Sequence, residues 1–171
     1  KELKMEKNLV KLDETWVMVQ FQFTPHKGGG PGKPSLISMS DEDFEMLEEH
    51  QVLVQGMMAS KYLDTFRDRV EQWFRALRAV SDVVLLMNDM QRAWSYMENL
   101  FIESEEVQKE LPKDTLRFVA LDKTMRDILQ TAENIKLVTD FSGKPGLLRS
   151  MEAISSDLVL CEKSLTEYMN A

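Results

Sequence analysis

Cysteine is nearly absent from this chain, and several other scarcities narrow its function before any motif is considered. Cys161 is the single cysteine, so no internal disulfide can form, and the two histidines, His26 and His50, stand too far apart to complete a zinc-ligand spacing. A reducing compartment is expected, with neither cofactor nor metal. Glycine and proline number seven and five, and four of the glycines with two of the prolines fall within Gly28–Pro34. Chain-breaking chemistry is therefore confined largely to one loop, and the rest is free to be helix. Cations are in deficit: 21 Lys and Arg against 29 Asp and Glu give a net charge of −8. That is the wrong sign for a groove that neutralises phosphates, so no nucleic-acid partner is expected. No apolar run approaches the roughly 18 residues that span a bilayer, and the amino-terminal KELKMEKNLVKLDETW holds no apolar signal core. A soluble, unsecreted chain with no membrane partner is the expectation.

What is present is a patterned hydrophobic chain. At 43% hydrophobic over 171 residues it can build one domain with a core, because a chain of this size buries about 70% of its unfolded surface. It starts at Lys1 and stops at Ala171 after a helical pattern, and is read as a piece of something longer.

Residues 2–13 read as helix, with Leu3, Met5, Leu9, Val10 and Leu12 forming a loose apolar stripe. From Trp16 to Phe23 the period changes, and Val19, Phe21 and Phe23 alternate with Gln20 and Gln22 as in a strand. Ser35–Met39 is the expected partner strand, making a hairpin over about 16–39 with a long Gly-Pro tip. Ser40 is a good helix cap, with Asp41, Glu42 and Asp43 in the first turn, and a helix from Asp41 to about Gln55 is expected to be interrupted by Gly56 and Ser60. Leu63, Phe66, Val70, Trp73, Leu77, Val80, Val84 and Met87 then recur at steps of three and four. Unbroken from Tyr62 to Met97, such a helix would be about 54 Å long, against a radius of gyration near 16 Å for a compact chain of this size. Either it bends near Ser81 or the domain is elongated. An acidic stretch from Asn99, with one short helix over Glu105–Glu110, precedes Pro112 at the first position of a further helix. That helix presents Leu116, Leu121, Met125, Ile128 and Leu129 and ends near Val138. After a turn over Ser142–Gly146, a last helix carries Leu147, Met151, Ile154, Leu158, Leu165 and Tyr168. The expected fold is mainly α, an elongated multi-helix bundle over about 41–169 with one small β-hairpin near the N-terminus, all in one segment.

Candidate chemistry is sparse. Gly28–Ser35 resembles a phosphate-binding loop, but Lys27 stands where Gly is needed, Pro34 where Ser or Thr is needed, and a strand follows where a helix should. The acids from Asp41 to Glu49 read as a solvated helix face, as do Glu103, Glu105 and Glu106, whose spacing fits no EF-hand loop. His26 and His50 fit no familiar nucleophilic signature. Cys161, between Leu160 and Glu162 on a helix, reads as a core or half-exposed residue, and the three Trp and twelve Met as core.

The run Trp94-Ser95-Tyr96-Met97-Glu98-Asn99-Leu100-Phe101-Ile102 is the most specific stretch in the chain. Glu105-Glu106-Val107, Leu111-Pro112 with Asp114 and Phe118, and Leu121-Asp122-Lys123-Thr124 with Arg126-Asp127-Ile128 follow in order. These four blocks resemble the linker of dynein heavy chains. Lys144-Pro145-Gly146-Leu147 and Leu160–Leu165 with Glu167-Tyr168 look most like the outer-arm β-type axonemal chains. The resemblance continues more loosely upstream through Trp16, Phe66 and Trp73. It departs at Met125, where many relatives carry an aromatic residue, and in the Gly-Pro loop.

The resemblance implies the N-terminal part of a linker, a helical lever lying across a ring of ATPase modules and passing its movements on as force. It marks Trp16, Phe66, Trp73, Trp94, Tyr96, Glu98, Phe101, Pro112 and Phe118 as core or family-motif positions and offers no catalytic residue, since none of the ATPase ring is present. The implied partners are the ATPase ring of the same heavy chain and other dynein subunits, and the implied place is the axoneme of a cilium or flagellum. A helical adaptor that only binds another protein is the competing expectation.

Overall fold

The computed structural model describes residues 2–26 and 34–171. The Gly-Pro tip expected over Gly28–Pro34 lies outside the described residues except for Pro34. Helix α1 (Glu2–Trp16) leads to strand β1 (Gln22–Thr24), which pairs antiparallel with β2 (Leu36–Ser38), Phe23 facing Ile37. Helix α2 (Asp41–Met58) and the 36-residue α3 (Leu63–Glu98) follow. A π-helical turn over Asn99–Glu103 leads to α4 (Glu105–Glu110), α5 (Pro112–Ile135), α6 (Val138–Ser142) and α7 (Leu147–Met169). This is the mainly α arrangement with one N-terminal hairpin that the patterning predicts.

Helix α3 runs unbroken from Leu63 to Glu98, about 54 Å at 1.5 Å per residue. It has no Gly or Pro in its interior, and α1, α2, α6, α7 and β2 all pack on it. Ser40 caps α2 by accepting from the Asp43 amide at 3.1 Å, and three acids follow in the first turn. Gly56 does not end α2, which continues to Met58; the break falls at Ala59–Ser60. One Gly costs a helix only about 1 kcal/mol, less than the burial of Met57 returns. Pro112 opens α5 at a position whose amide needs no partner.

Several expectations change. Trp16 closes α1 instead of opening a strand, and the paired part of the first strand is Gln22–Thr24 alone. Val19 and Phe21 are nevertheless buried while Gln20 and Gln22 are exposed. Leu3 and Val10 leave the α1 core stripe for solvent, because Met5, Leu9, Leu12 and Trp16 set the buried face at steps of four, three and four. Leu116 is 73% exposed. The buried face of α5 is phased by Asp114, Phe118, Leu121 and Met125, which turns Leu116 outward.

Helix α5 ends at Ile135, not at Val138, and does so sharply. Lys136 adopts φ 68° and ψ −42°, and the Leu137 amide donates to the Ile135 carbonyl at 2.8 Å, forming a strained γ-turn at a non-glycine residue. Segment 19–21 clasps this corner: the Phe21 amide donates to the Lys136 carbonyl and the Val138 amide to the Val19 carbonyl, both at 3.0 Å. Phe21 meets Phe141 of α6 edge to face at 5.4 Å. The other side of the hairpin is held by side chains: Glu133 of α5 accepts from the Ser35 amide at 3.4 Å, and Gln91 binds β2 itself. Gln91 of α3 accepts from the Ile37 amide at 2.7 Å and donates to its carbonyl at 2.8 Å, pairing with β2 as a further strand residue would.

Candidate functional site

The residues of the Trp94 run converge where α3 ends, and they do so with polar groups inside the core. Trp94 is fully buried, and its indole N–H donates to Asp122 Oδ1 on α5 at 2.7 Å. Asp122 Oδ2 accepts from Arg126 Nε one helical turn on, at 3.0 Å. Arg126 reaches across to Glu98 Oε2 at the end of α3, and Glu98 Oε1 accepts from His26 Nε2 at 2.6 Å. His26 stacks on the Trp94 ring at 4.5 Å with an interplanar angle of 19°, and the Arg126 guanidinium lies 5.4 Å from the same ring.

The result is a closed circuit of five side chains from three elements. A carboxylate can only accept, so Glu98 takes both of its donors without competition, and Arg126 divides its fork between two carboxylates. Removing any one member would leave a charge or an indole N–H buried without its partner, which is costly at low dielectric. Immediately beyond, Phe101 of the π-helical turn stacks on Phe118 of α5 at 5.2 Å. Gln108 of α4 donates to the carbonyls of Phe101 and Ile102 at 3.1 and 2.9 Å, satisfying the end of that turn.

The nine positions singled out from the sequence do not share one place. Trp94, Glu98, Phe101 and Phe118 meet at this junction. Trp16 lies fully buried elsewhere, its indole donating to His50 Nδ1 of α2 at 3.0 Å. Phe66 and Trp73, expected as core, are only partly buried, and the Trp73 indole donates to Asp13 of α1 at 2.9 Å. Tyr96 is 58% exposed and is not core. It sits on the face of α3 opposite the buried Trp94 side. Pro112 is exposed and acts only through its backbone.

His26 was invisible as a site residue because its partner Glu98 lies 72 residues away. Asp122 and Arg126 carried a fainter signal, an acid and a base at i and i+4 on one helix face. The junction offers little for catalysis. Both Glu98 oxygens and both Asp122 oxygens are already engaged, and among the described residues no three His, Cys, Asp or Glu side chains converge as metal ligands would. Burial, with Asp114 adding to it, pushes the Cys161 thiol up to about 11, which leaves almost no nucleophilic thiolate at neutral pH. Burial and Lys11 lower His50, which keeps it the neutral acceptor that the Trp16 indole requires. The arrangement is built to hold helices together.

Comparison with known proteins agrees with the residues that carry the resemblance. The family model described as "Dynein heavy chain, N-terminal region 2" matches residues 1–171. The chain is 42% identical over 171 residues to the "Dynein alpha chain, flagellar outer arm" of Chlamydomonas reinhardtii, covering 100% of this chain and 4% of that one. It is 37% identical over 171 residues to "Dynein axonemal heavy chain 9" of Homo sapiens, and 36% over 169 residues to the ciliary "Dynein beta chain" of Heliocidaris crassispina, covering 99% of this chain each time. It spans only 4% of the length of these relatives. No helix among the described residues is long and apolar enough to cross a membrane. With the whole of its length matched, the chain belongs to the dynein heavy chain family, in its N-terminal region 2.

Proposed function

We propose that this segment is a non-catalytic mechanical element of an axonemal dynein heavy chain, the beginning of a linker that carries nucleotide-driven changes of the ATPase ring into force on microtubules. The observation that carries this reading is α3: 36 residues of continuous helix braced along its length by α1, α2, α6 and α7. A helix free of Gly and Pro and packed on several sides resists bending, because bending it would break backbone hydrogen bonds and open its packed faces together. The closed circuit at Glu98 then ties the end of this strut to α5 and to the hairpin, so that displacement of one moves the others. The partners are the ATPase ring of the same heavy chain and neighbouring dynein subunits. The flagellar and ciliary names of the relatives support the axoneme as its place.

The test is to weaken the strut inside the full-length motor. Arg78→Pro, at an exposed position in α3, removes one helical hydrogen bond and costs about 3 kcal/mol locally. Microtubule-activated ATP turnover should persist while gliding velocity falls several-fold. Equal loss of both, or loss of neither, would overturn the lever reading. Unchanged motility with a lost binding partner would favour a helical adaptor.

A further inference from the structure

A groove of about 610 Å³ opens between α3 and α7, away from the Trp94 junction, lined by Asp82, Leu85, Leu86, Asp89, Leu148 and Glu152 with the hydroxyls of Ser155 and Ser156. Its floor is apolar. Leu86 and Leu148 are partly buried, while Leu85 is 51% exposed although it serves no core stripe. On α7 the same face continues from Glu152 and Ser155 to Val159, which is 62% exposed. An apolar strip that folding does not require marks a surface meant to be covered.

The walls say what covers it. Asp82, Asp89 and Glu152 are carboxylates, and no cation is among the residues that line the groove; Asp89 meets the exposed Arg92 at 3.8 Å. Other hollows on the described surface differ. One contains Arg78, one Lys144 and one Lys4, and the hollow beside His26 holds Glu98, which Arg126 already pairs. We propose that the α3–α7 groove docks a basic amphipathic helix, its apolar face on Leu85, Leu86 and Leu148 and its Lys or Arg side chains against Asp82, Asp89 and Glu152. A helix is required because it satisfies its own backbone, whereas an extended segment would find no strand edge on this floor. The acidic walls repel nucleic acid and anionic lipid, and at −8 a second copy of this chain has the wrong sign overall.

The experiment uses the full-length heavy chain in its native complex, with photo-crosslinking benzoylphenylalanine in place of Ser156 and mass spectrometry of the captured peptide. The expected product is a segment with apolar residues at three- and four-residue spacing flanked by Lys or Arg, from this heavy chain or from another subunit. Reversing the walls with Asp82→Lys and Glu152→Lys should lower the yield about tenfold, while Glu45→Lys and Glu49→Lys on the acidic face of α2 should leave it unchanged. Leu85→Ser, at an exposed position, should lower it too without disturbing the fold. Capture of an acidic or non-amphipathic segment, of lipid or of nucleic acid would overturn the proposal. So would a yield indifferent to wall charge, or no capture above that from a probe on α2.

Discussion

From Leu63 to Leu77, α3 buries a narrow stripe of Leu63, Val70 and Leu77 at steps of seven, with Phe66, Trp73 and Phe74 half-exposed along its borders. From Val80 to Glu98 the buried set widens to include Val83, Val84, Met87, Met90, Gln91, Trp94, Met97 and Glu98. The first half leans on α1, as the bonds from Arg69 and Trp73 to Asp13 show, and on α2, where Val54 lies near Phe74 and Leu77. The second half meets the hairpin through Gln91 and Glu98, α5 through Trp94 and Glu98, and α7 beside Leu86. The two polar residues that α3 buries, Gln91 and Glu98, both lie in this second half, and both are tied to another element: Gln91 to β2, Glu98 to His26 and Arg126. One continuous helix is thus a strut at its start and a joint at its end. The strut rests on apolar burial with its directional bonds at the exposed border, on Asp13, whereas the joint carries directional bonds inside the core that specify which elements meet.

The sharpest way to break that comparison is to remove one tryptophan from each half. Trp94→Ala should cost about 3–5 kcal/mol in denaturant unfolding of the segment, from the cavity and from the stranded Asp122 carboxylate. Trp73→Ala, half-exposed, should cost about 1 kcal/mol. Equal losses, or a loss under about 0.5 kcal/mol at Trp94, would erase the distinction.

Charges make the next test. Glu98→Ala leaves Arg126 and His26 facing an empty site inside the joint and should cost about 3 kcal/mol. Asp13→Ala removes the partner of Arg69 and Trp73, but those groups stay partly solvated, and the loss should remain under about 1 kcal/mol. A Glu98→Ala variant as stable as the parent would show that the buried circuit contributes nothing to the joint.

The strut was legible in the sequence and the joint was not, for a physical reason. Leu63, Phe66, Val70, Trp73 and Leu77 write a local period that any single helix displays. Pro112 and Ser40 announce helix starts through local backbone chemistry. The joint is written in pairs far apart in the chain: His26 with Glu98, Gln91 with Ile37, Trp94 with Asp122. The four family blocks pointed to Trp94, Glu98, Phe101 and Phe118 without saying what they touch. Tertiary packing also overrode local signals, carrying α1 through Trp16 and turning Leu116 outward. Helix α6 went unread because it is five residues long and follows a γ-turn at Lys136, where nothing in the residue type foretells a positive φ.

That corner offers a test of opposite sign. Lys136→Gly removes the Cβ that makes φ 68° unfavourable, at the cost of a more flexible unfolded chain. The net expectation is a gain of about 1 kcal/mol, seen as a higher denaturation midpoint with an unchanged slope. Lys136→Ala keeps the Cβ and should change little. A loss of stability in Lys136→Gly would mean that the corner is unstrained and that segment 19–21 merely lies beside it.

The smallest effect tests the strut side through pH. His50 is buried beside α1, and burial, with Lys11, lowers its pKa below the ordinary 6.5. In the folded chain its Nδ1 accepts from the Trp16 indole, so protonation must sacrifice that bond. The unfolded chain therefore takes up the proton first as pH falls. The contribution of neutral His50 is fully present above the unfolded value of 6.5 and is lost progressively as pH drops from there through the lower folded value. Other groups titrate in the same window, so the measurement is a difference. His50→Asn supplies an amide oxygen as acceptor and cannot titrate. The unfolding free energy of the parent relative to His50→Asn should be constant from pH 8 to about 7 and fall below about 6.5. A difference that stays flat to pH 5 would show that folding does not displace the titration of His50, and that the Trp16–His50 bond adds no pH-dependent stability.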